Sequence, residues 1–116
     1  MEENMEELIE QLLHFRDERD WGQFHKPKDL AISVSIEAAE LLEIFQWRPD
    51  GAEIDEALVV KVKDEAADIL LYLTLLCNSF NIDLLSAAKD KLARNSKRFP
   101  ASSSRGIPKP QDETTP

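Results

Sequence analysis

The sequence predicts an all-α protein, and three observations carry that prediction. Apolar residues recur at three- and four-residue spacings through most of the chain, which is the period of a buried helical face. No segment alternates apolar and polar residues over a strand's length, and only three glycines are present in 116 residues. The strong turn signals fall between the periodic segments rather than inside them. A chain of this length supports one domain with a single core.

The first helix is expected from about Glu3 to Arg19, with Leu8, Leu12 and Phe15 on one stripe and Ile9 and Leu13 beside it. The stretch "DWGQFHKPKD" breaks it at Gly22 and Pro27. A second helix is expected from about Lys28 to Gln46. It ends at "RPDGAEID", where Pro49 and Asp50-Gly51 are turn residues. Asp55 is placed to cap a long third helix that reaches about Ser79. After the short turn "NID", Asp83 is placed to cap a fourth helix, Leu84 to Arg98, which Pro100 terminates. The remaining residues, 101–116, contain one large aliphatic side chain, Ile107, and read as a disordered tail.

Charge and composition exclude several classes of function. A formal net charge of −9 argues against nucleic acid or an anionic membrane surface as a partner. It leaves room for a single phosphate-bearing ligand if a cation supplies the opposite charge. The apolar run at residues 69–77 is too short to span a bilayer. The acidic N-terminus "MEENMEELIE" lacks the hydrophobic core of a signal peptide, so the cytoplasm is the expected compartment. A single cysteine, Cys77, makes no internal disulfide and reads as a small apolar group.

The second and third helices share an oddity. Glu37 stands on the stripe of Leu30, Val34, Leu41 and Ile44, where an apolar residue belongs. Asp68 is the only charged residue from Ala66 to Phe80, deep inside the third helix, and capping does not explain it. Each has an acidic neighbour on the same face at three residues' distance, Glu40 for Glu37 and Glu65 for Asp68, with Glu43 one turn beyond Glu40. A single E-x-x-E is uninformative, and Glu43 and Asp64 read equally well as solvated surface. Glu37 and Asp68 do not, because an unpaired carboxylate among apolar neighbours is costly. Two carboxylates about 5 Å apart repel by roughly 3 kcal/mol at an effective dielectric of 20. The third helix offers only Lys61 and Lys63 near its start, so a metal ion is the better counter-charge. All-oxygen ligands suit Mg²⁺, Mn²⁺ or Ca²⁺. A di-iron site would place a histidine three residues after a glutamate. Gln11 and Gly22 hold those places before His14 and His25. Mg²⁺ keeps coordination positions open for phosphate oxygens, which points to phosphate-ester chemistry.

These residues carry a family resemblance. "IEAAELLEIFQW" followed by "DEAADILLYL" resembles the E-x-x-E…E-x-x-D signature of the MazG-like all-α nucleoside triphosphate pyrophosphohydrolases. "ERDWGQFHKP", "ELLEIFQW", "DILLYL" and the spaced set Lys91, Asn95 and Arg98 to Pro100 resemble, in that order, blocks of the dCTP pyrophosphatases. The resemblance spans about residues 5–100 and implies a four-helix unit, residues 1–100, assembling as an oligomeric helical bundle. It implies hydrolysis of a nucleoside triphosphate to monophosphate and pyrophosphate, with Mg²⁺, or Mn²⁺ in its place, held by Glu37, Glu40, Glu65 and Asp68. Glu40 and Glu43 are both candidates for the general base. Ile36 stands where many members of the wider superfamily have a further glutamate, so one metal ligand of those relatives is absent.

The same resemblance assigns Trp21, His25, Trp47 and Tyr72 to the nucleoside, although Trp21 and Trp47 on their own read as core or interface residues. Tyr72, one turn from Asp68, is then placed beside the sugar, where it would disfavour a ribose 2′-hydroxyl. Lys91, Asn95 and Arg98 share one face of the fourth helix. That placement also suits a helix C-terminus, but the resemblance assigns all three to substrate binding, Lys91 and Asn95 as phosphate contacts. The implied partner is a small nucleoside triphosphate, with a site shared between subunits of a homodimer or homotetramer. The alternatives are the same chemistry on a broader range of (d)NTPs, or a helical interaction module without catalysis.

Overall fold

The computed structural model describes residues 4–108, and the secondary structure over those residues is entirely helical. The chain divides after Ile82 into two compact units. The proposed 1–100 domain therefore spans both.

In the first unit, α1 runs Met5–Glu18, a 3₁₀ turn Trp21–Phe24, α2 Pro27–Phe45 and α3 Glu56–Ser79. α1 and α3 each begin where a side chain accepts from a free N–H of the first turn. The Asn4 side chain accepts from the backbone N–H of Glu7 at 2.9 Å. Asp55 accepts from Leu58 N–H at 2.8 Å, as its position predicts. Pro27 opens α2 instead of interrupting the chain before it. At the first helical position the missing N–H costs nothing and the fixed φ is already helical. Asp20, in the left-handed region at φ 52°, turns the chain out of α1 into the unpredicted 3₁₀ turn. Arg48 steadies the following loop by donating to the Glu53 carbonyl at 2.6 Å.

The main packing in this unit is α2 against α3, with α1 lying against α3 and the 3₁₀ turn. Leu30, Leu58 and Leu75 are the buried apolar residues. Thr74 is buried with them at 2 % exposure, and its hydroxyl is satisfied by donating to the Leu70 carbonyl at 2.6 Å. Cys77 is a half-buried free thiol. Large apolar residues on all three helices stay exposed, among them Phe15, Ile36, Leu42 and Val60.

In the second unit, α4 runs Leu84–Arg98, and Asp83 caps it through Ser86 N–H at 3.0 Å. Lys97 and Arg98 occupy its last turn, where cations face the negative end of the helix dipole. Past Pro100 the chain makes a further short helix, α5, Ala101–Ser104, where the sequence predicts only tail. Pro100 supplies a carbonyl that accepts from Ser103 and Ser104 N–H groups, enough to close one turn without any apolar stripe. The rest of that expected tail, residues 109–116, lies outside the described residues, as does Glu3 at the expected start of α1.

Candidate functional site

The α2–α3 pairing sets two rows of carboxylates facing each other. Along α2 the stripe of Leu30, Val34, Glu37, Leu41 and Ile44 is buried or half-buried throughout, while Ala38, Ala39, Leu42 and Glu43 are exposed. Glu37 is therefore held on the packed face, as its spacing predicts. From α3, Glu65 and Asp68 meet it: one carboxylate oxygen from each of Glu37, Glu65 and Asp68 lies within 4.8 Å of the others. Glu40, one turn along α2, reaches both Glu37 and Glu65 closely enough to share a proton with either. Beyond it the cluster opens into a cleft lined by Glu40, Glu43, Ile44, Lys61, Asp64 and Glu65.

The electrostatics of this cluster are strained. The Oε2 atoms of Glu37 and Glu65 are shielded from water and have no hydrogen-bond partner. Ionised carboxylates only accept, so neither can satisfy the other; a shared proton or a cation is required. Without a cation, protons fill the need. Hydrogen bonding with Glu40, then loss of water, hydrogen bonding with Glu65 and the charges of Glu40 and Asp68 push the Glu37 carboxyl from 4.5 up to about 7. Glu65 is also raised, chiefly by burial. The ion pairs His14–Glu18 and Arg16–Asp17 lie elsewhere. Three carboxylates at this separation, two of which carry a shielded, unpartnered oxygen, suit a hard divalent cation.

The other predicted site residues lie on several elements of the two units. Tyr72 is half-buried on α3, one turn beyond Asp68. Trp21 lies edge-to-face against Phe15, ring centroids 5.7 Å apart, with the Arg19 guanidinium 3.8 Å above the Phe15 ring. His25 follows on the same turn, half-buried, with Nδ1 unpartnered; burial first and the Arg16 charge second lower its pKa. Trp47 is 87 % exposed just past α2, so it is no part of this chain's core. Lys91, Asn95 and Arg98 lie on α4 in the second unit, with the Arg98 guanidinium 5.0 Å from the Phe99 ring centroid. Two cleft residues, Lys61 and Asp64, escape the sequence reading as site residues. Their signal was their spacing of four and one residues before Glu65, which puts Lys61 on the Glu65 face.

Residues 32–113 match the model of the MazG-like family, a stretch that contains every carboxylate of the cluster. The chain belongs to the MazG-like family. This MazG-like chain is 36 % identical over 109 residues to dCTP pyrophosphatase 1 of Bos taurus, covering 90 % of this chain and 64 % of that protein. The Homo sapiens dCTP pyrophosphatase 1 is 34 % identical over 104 residues, covering 86 % and 61 %. The chain thus spans less than two thirds of the length of these curated relatives. Among solved structures, a pyrophosphatase from Archaeoglobus fulgidus superimposes with a TM-score of 0.73 at 43 % identity. That match covers 86 % of the MazG-like chain and 95 % of the archaeal one.

Proposed function

We propose that this chain is a Mg²⁺-dependent nucleoside triphosphate pyrophosphohydrolase that converts dCTP, and modified dCTP analogues, to dCMP and pyrophosphate in the cytoplasm. The observation that carries the reading is the Glu37–Glu65–Asp68 cluster, which gathers carboxylates from two helices, two of them with a shielded oxygen left without a partner. The similarity to dCTP pyrophosphatase 1 and to the archaeal pyrophosphatase supports the same chemistry.

In this reading Glu37, Glu40, Glu65 and Asp68 hold the ion, with Mn²⁺ able to replace Mg²⁺. When bound, it offsets the charge of the triphosphate and of the negative oxygens that develop at the α-phosphorus. Glu40 or Glu43, both lining the cleft, takes a proton from the attacking water as the bond from the α-phosphorus to the bridging oxygen breaks. Pyrophosphate leaves with the bridging oxygen. Tyr72, Trp21, His25 and Trp47 contact the nucleoside, Lys91 and Asn95 the phosphates, and Arg98 the substrate, in an assembly of two or four copies. A panel of nucleotides with Mg²⁺, resolved by product, tests the reading. Monophosphate and pyrophosphate from dCTP are expected; diphosphate and phosphate, or no turnover of any nucleotide, would refute it.

A further inference from the structure

One residue of the cleft is not accounted for by the cluster. Lys61 is exposed and lines the cleft together with Glu40, Glu43, Asp64 and Glu65. Despite these acidic neighbours it makes no ion pair and no hydrogen bond among the described residues. An ammonium group carries three donors and no acceptor. Lys61 therefore holds its donors and its charge at the edge of the carboxylate cluster, uncommitted to any of them.

Its position along α3 says what would use them. Lys61, Glu65, Asp68 and Tyr72 stand at i, i+4, i+7 and i+11, which is a single helical stripe. At 1.5 Å of rise per residue, Lys61 is about 6 Å along the axis from Glu65, and Tyr72 about 10 Å in the opposite direction. The stripe reads cation, carboxylate, carboxylate, aromatic. Those are the chemical preferences of a phosphate end, a metal-bound middle and a nucleoside end. A polyphosphate laid along it would meet the carboxylates through its metal and Lys61 directly.

We propose that Lys61 binds the terminal phosphates of the substrate, the pyrophosphate that later leaves, and so fixes the direction of the triphosphate along α3. Phosphates lie toward Lys61 and the nucleoside toward Tyr72. The inference rests on the pyrophosphohydrolase reading for its substrate, but it makes a separate claim about anion binding. Lys61 acts as a positioning residue and takes no part in proton transfer.

The experiment is calorimetric titration of the full chain with pyrophosphate and, separately, with dCMP, both with Mg²⁺, for the parent, K61M, K61Q and K61R. Loss of a charge-assisted contact should weaken pyrophosphate about tenfold or more in K61M and K61Q. K61R should retain most of the affinity, and dCMP, which lacks terminal phosphates, should bind nearly as before. In steady-state assays the KM for dCTP should rise with smaller change in kcat. Unchanged pyrophosphate binding in a neutral variant with parental melting temperature would overturn the inference. So would equal weakening of pyrophosphate and dCMP, since that would mark Lys61 as a general modifier of cleft potential. Lys61-dependent pyrophosphate binding without hydrolysis of any nucleotide would leave the anion site standing and remove the enzymatic reading. Hydrolysis with pyrophosphate binding indifferent to Lys61 would do the reverse.

Discussion

Glu37 concentrates the conflict between folding and function in one side chain. It sits on the packed face of α2 with a shielded oxygen that nothing in the described chain satisfies. Replacing Glu37 or Asp68 by its amide keeps the shape and removes a charge, so hydrolysis should fall by orders of magnitude as metal positioning is lost. The metal-free melting temperature should hold or rise, because one like-charge repulsion is gone. Added Mg²⁺ should stabilise the parent and the amide variants markedly less. Amide variants that unfold, beside a parent indifferent to Mg²⁺, would make these carboxylates structural. The pH dependence follows from the same residue. The fold raises the Glu37 carboxyl from 4.5 to about 7, so the folded chain binds this proton more tightly than the unfolded chain. The resulting stability is fully present below 4.5 and is lost as pH rises through about 7. Raised Glu65 adds to that trend. His25, lowered from 6.5, opposes it, contributing stability at higher pH that is lost as pH falls through its folded value. Comparing parent with E37Q in chelator therefore isolates Glu37: the parent's melting temperature should fall more steeply across that window. Parallel curves would show that Glu37 does not titrate there. The carboxylate pairs were legible in sequence because each interrupts an apolar stripe. Lys61 and Asp64 were not, because their spacing from Glu65 alone does not distinguish a cleft lining from a solvated face.

Among the elements, helix starts were the most legible features and the connections between helices the least. A cap is a local event, decided by one side chain and an N–H three residues on, and Asp55 and Asp83 both perform it at the positions their sequence context indicates. The 3₁₀ turn depends on how the chain leaves α1 through a left-handed Asp20, which composition does not record. The α5 turn is similarly invisible, since it is held by carbonyls of Pro100 and Ala101 and not by any apolar pattern. The cap of α3 matters beyond its own turn, because that helix carries Lys61, Glu65, Asp68 and Tyr72. Removing it with D55A should cost about 1 kcal/mol of stability, seen as a lower denaturation midpoint with an unchanged slope. Turnover by the folded fraction should change little, as the site begins more than a turn later. A loss of activity far exceeding the loss of folded protein would instead mean that the start of α3 is part of the site.

For the whole molecule, the decisive quantity is how little apolar surface the chain covers by itself. Among the described residues Leu30, Leu58 and Leu75 are the buried apolar ones, whereas Ile32, Ile36, Leu42, Val59, Val60 and Leu70 on α2 and α3 are all exposed. Single exposed apolar residues are ordinary, but Ile32 and Ile36 stand one turn apart on one face of α2. On α2, Ile32, Ile36 and the small residues Ala31, Ser35 and Ala39 line one apolar groove, on a different part of the helix surface from the carboxylate cluster. Three buried apolar side chains among the described residues are few for a chain whose length supports a single core. Covering the exposed residues with a second copy supplies the missing burial without disturbing the acidic cleft. The expected state is therefore a homodimer or homotetramer, and its stability should depend on protein concentration. Multi-angle light scattering at micromolar concentration should give at least twice the 13.2 kDa chain mass. Dilution should lower the melting temperature. An I36E substitution in the α2 groove should shift the assembly toward smaller species and destabilise it while leaving Glu37, Glu65 and Asp68 in place. A stable monomer at micromolar concentration, with a melting temperature indifferent to dilution, would mean that the exposed faces of α2 and α3 are tolerated by one chain alone, and a site shared between subunits would fall with the oligomer.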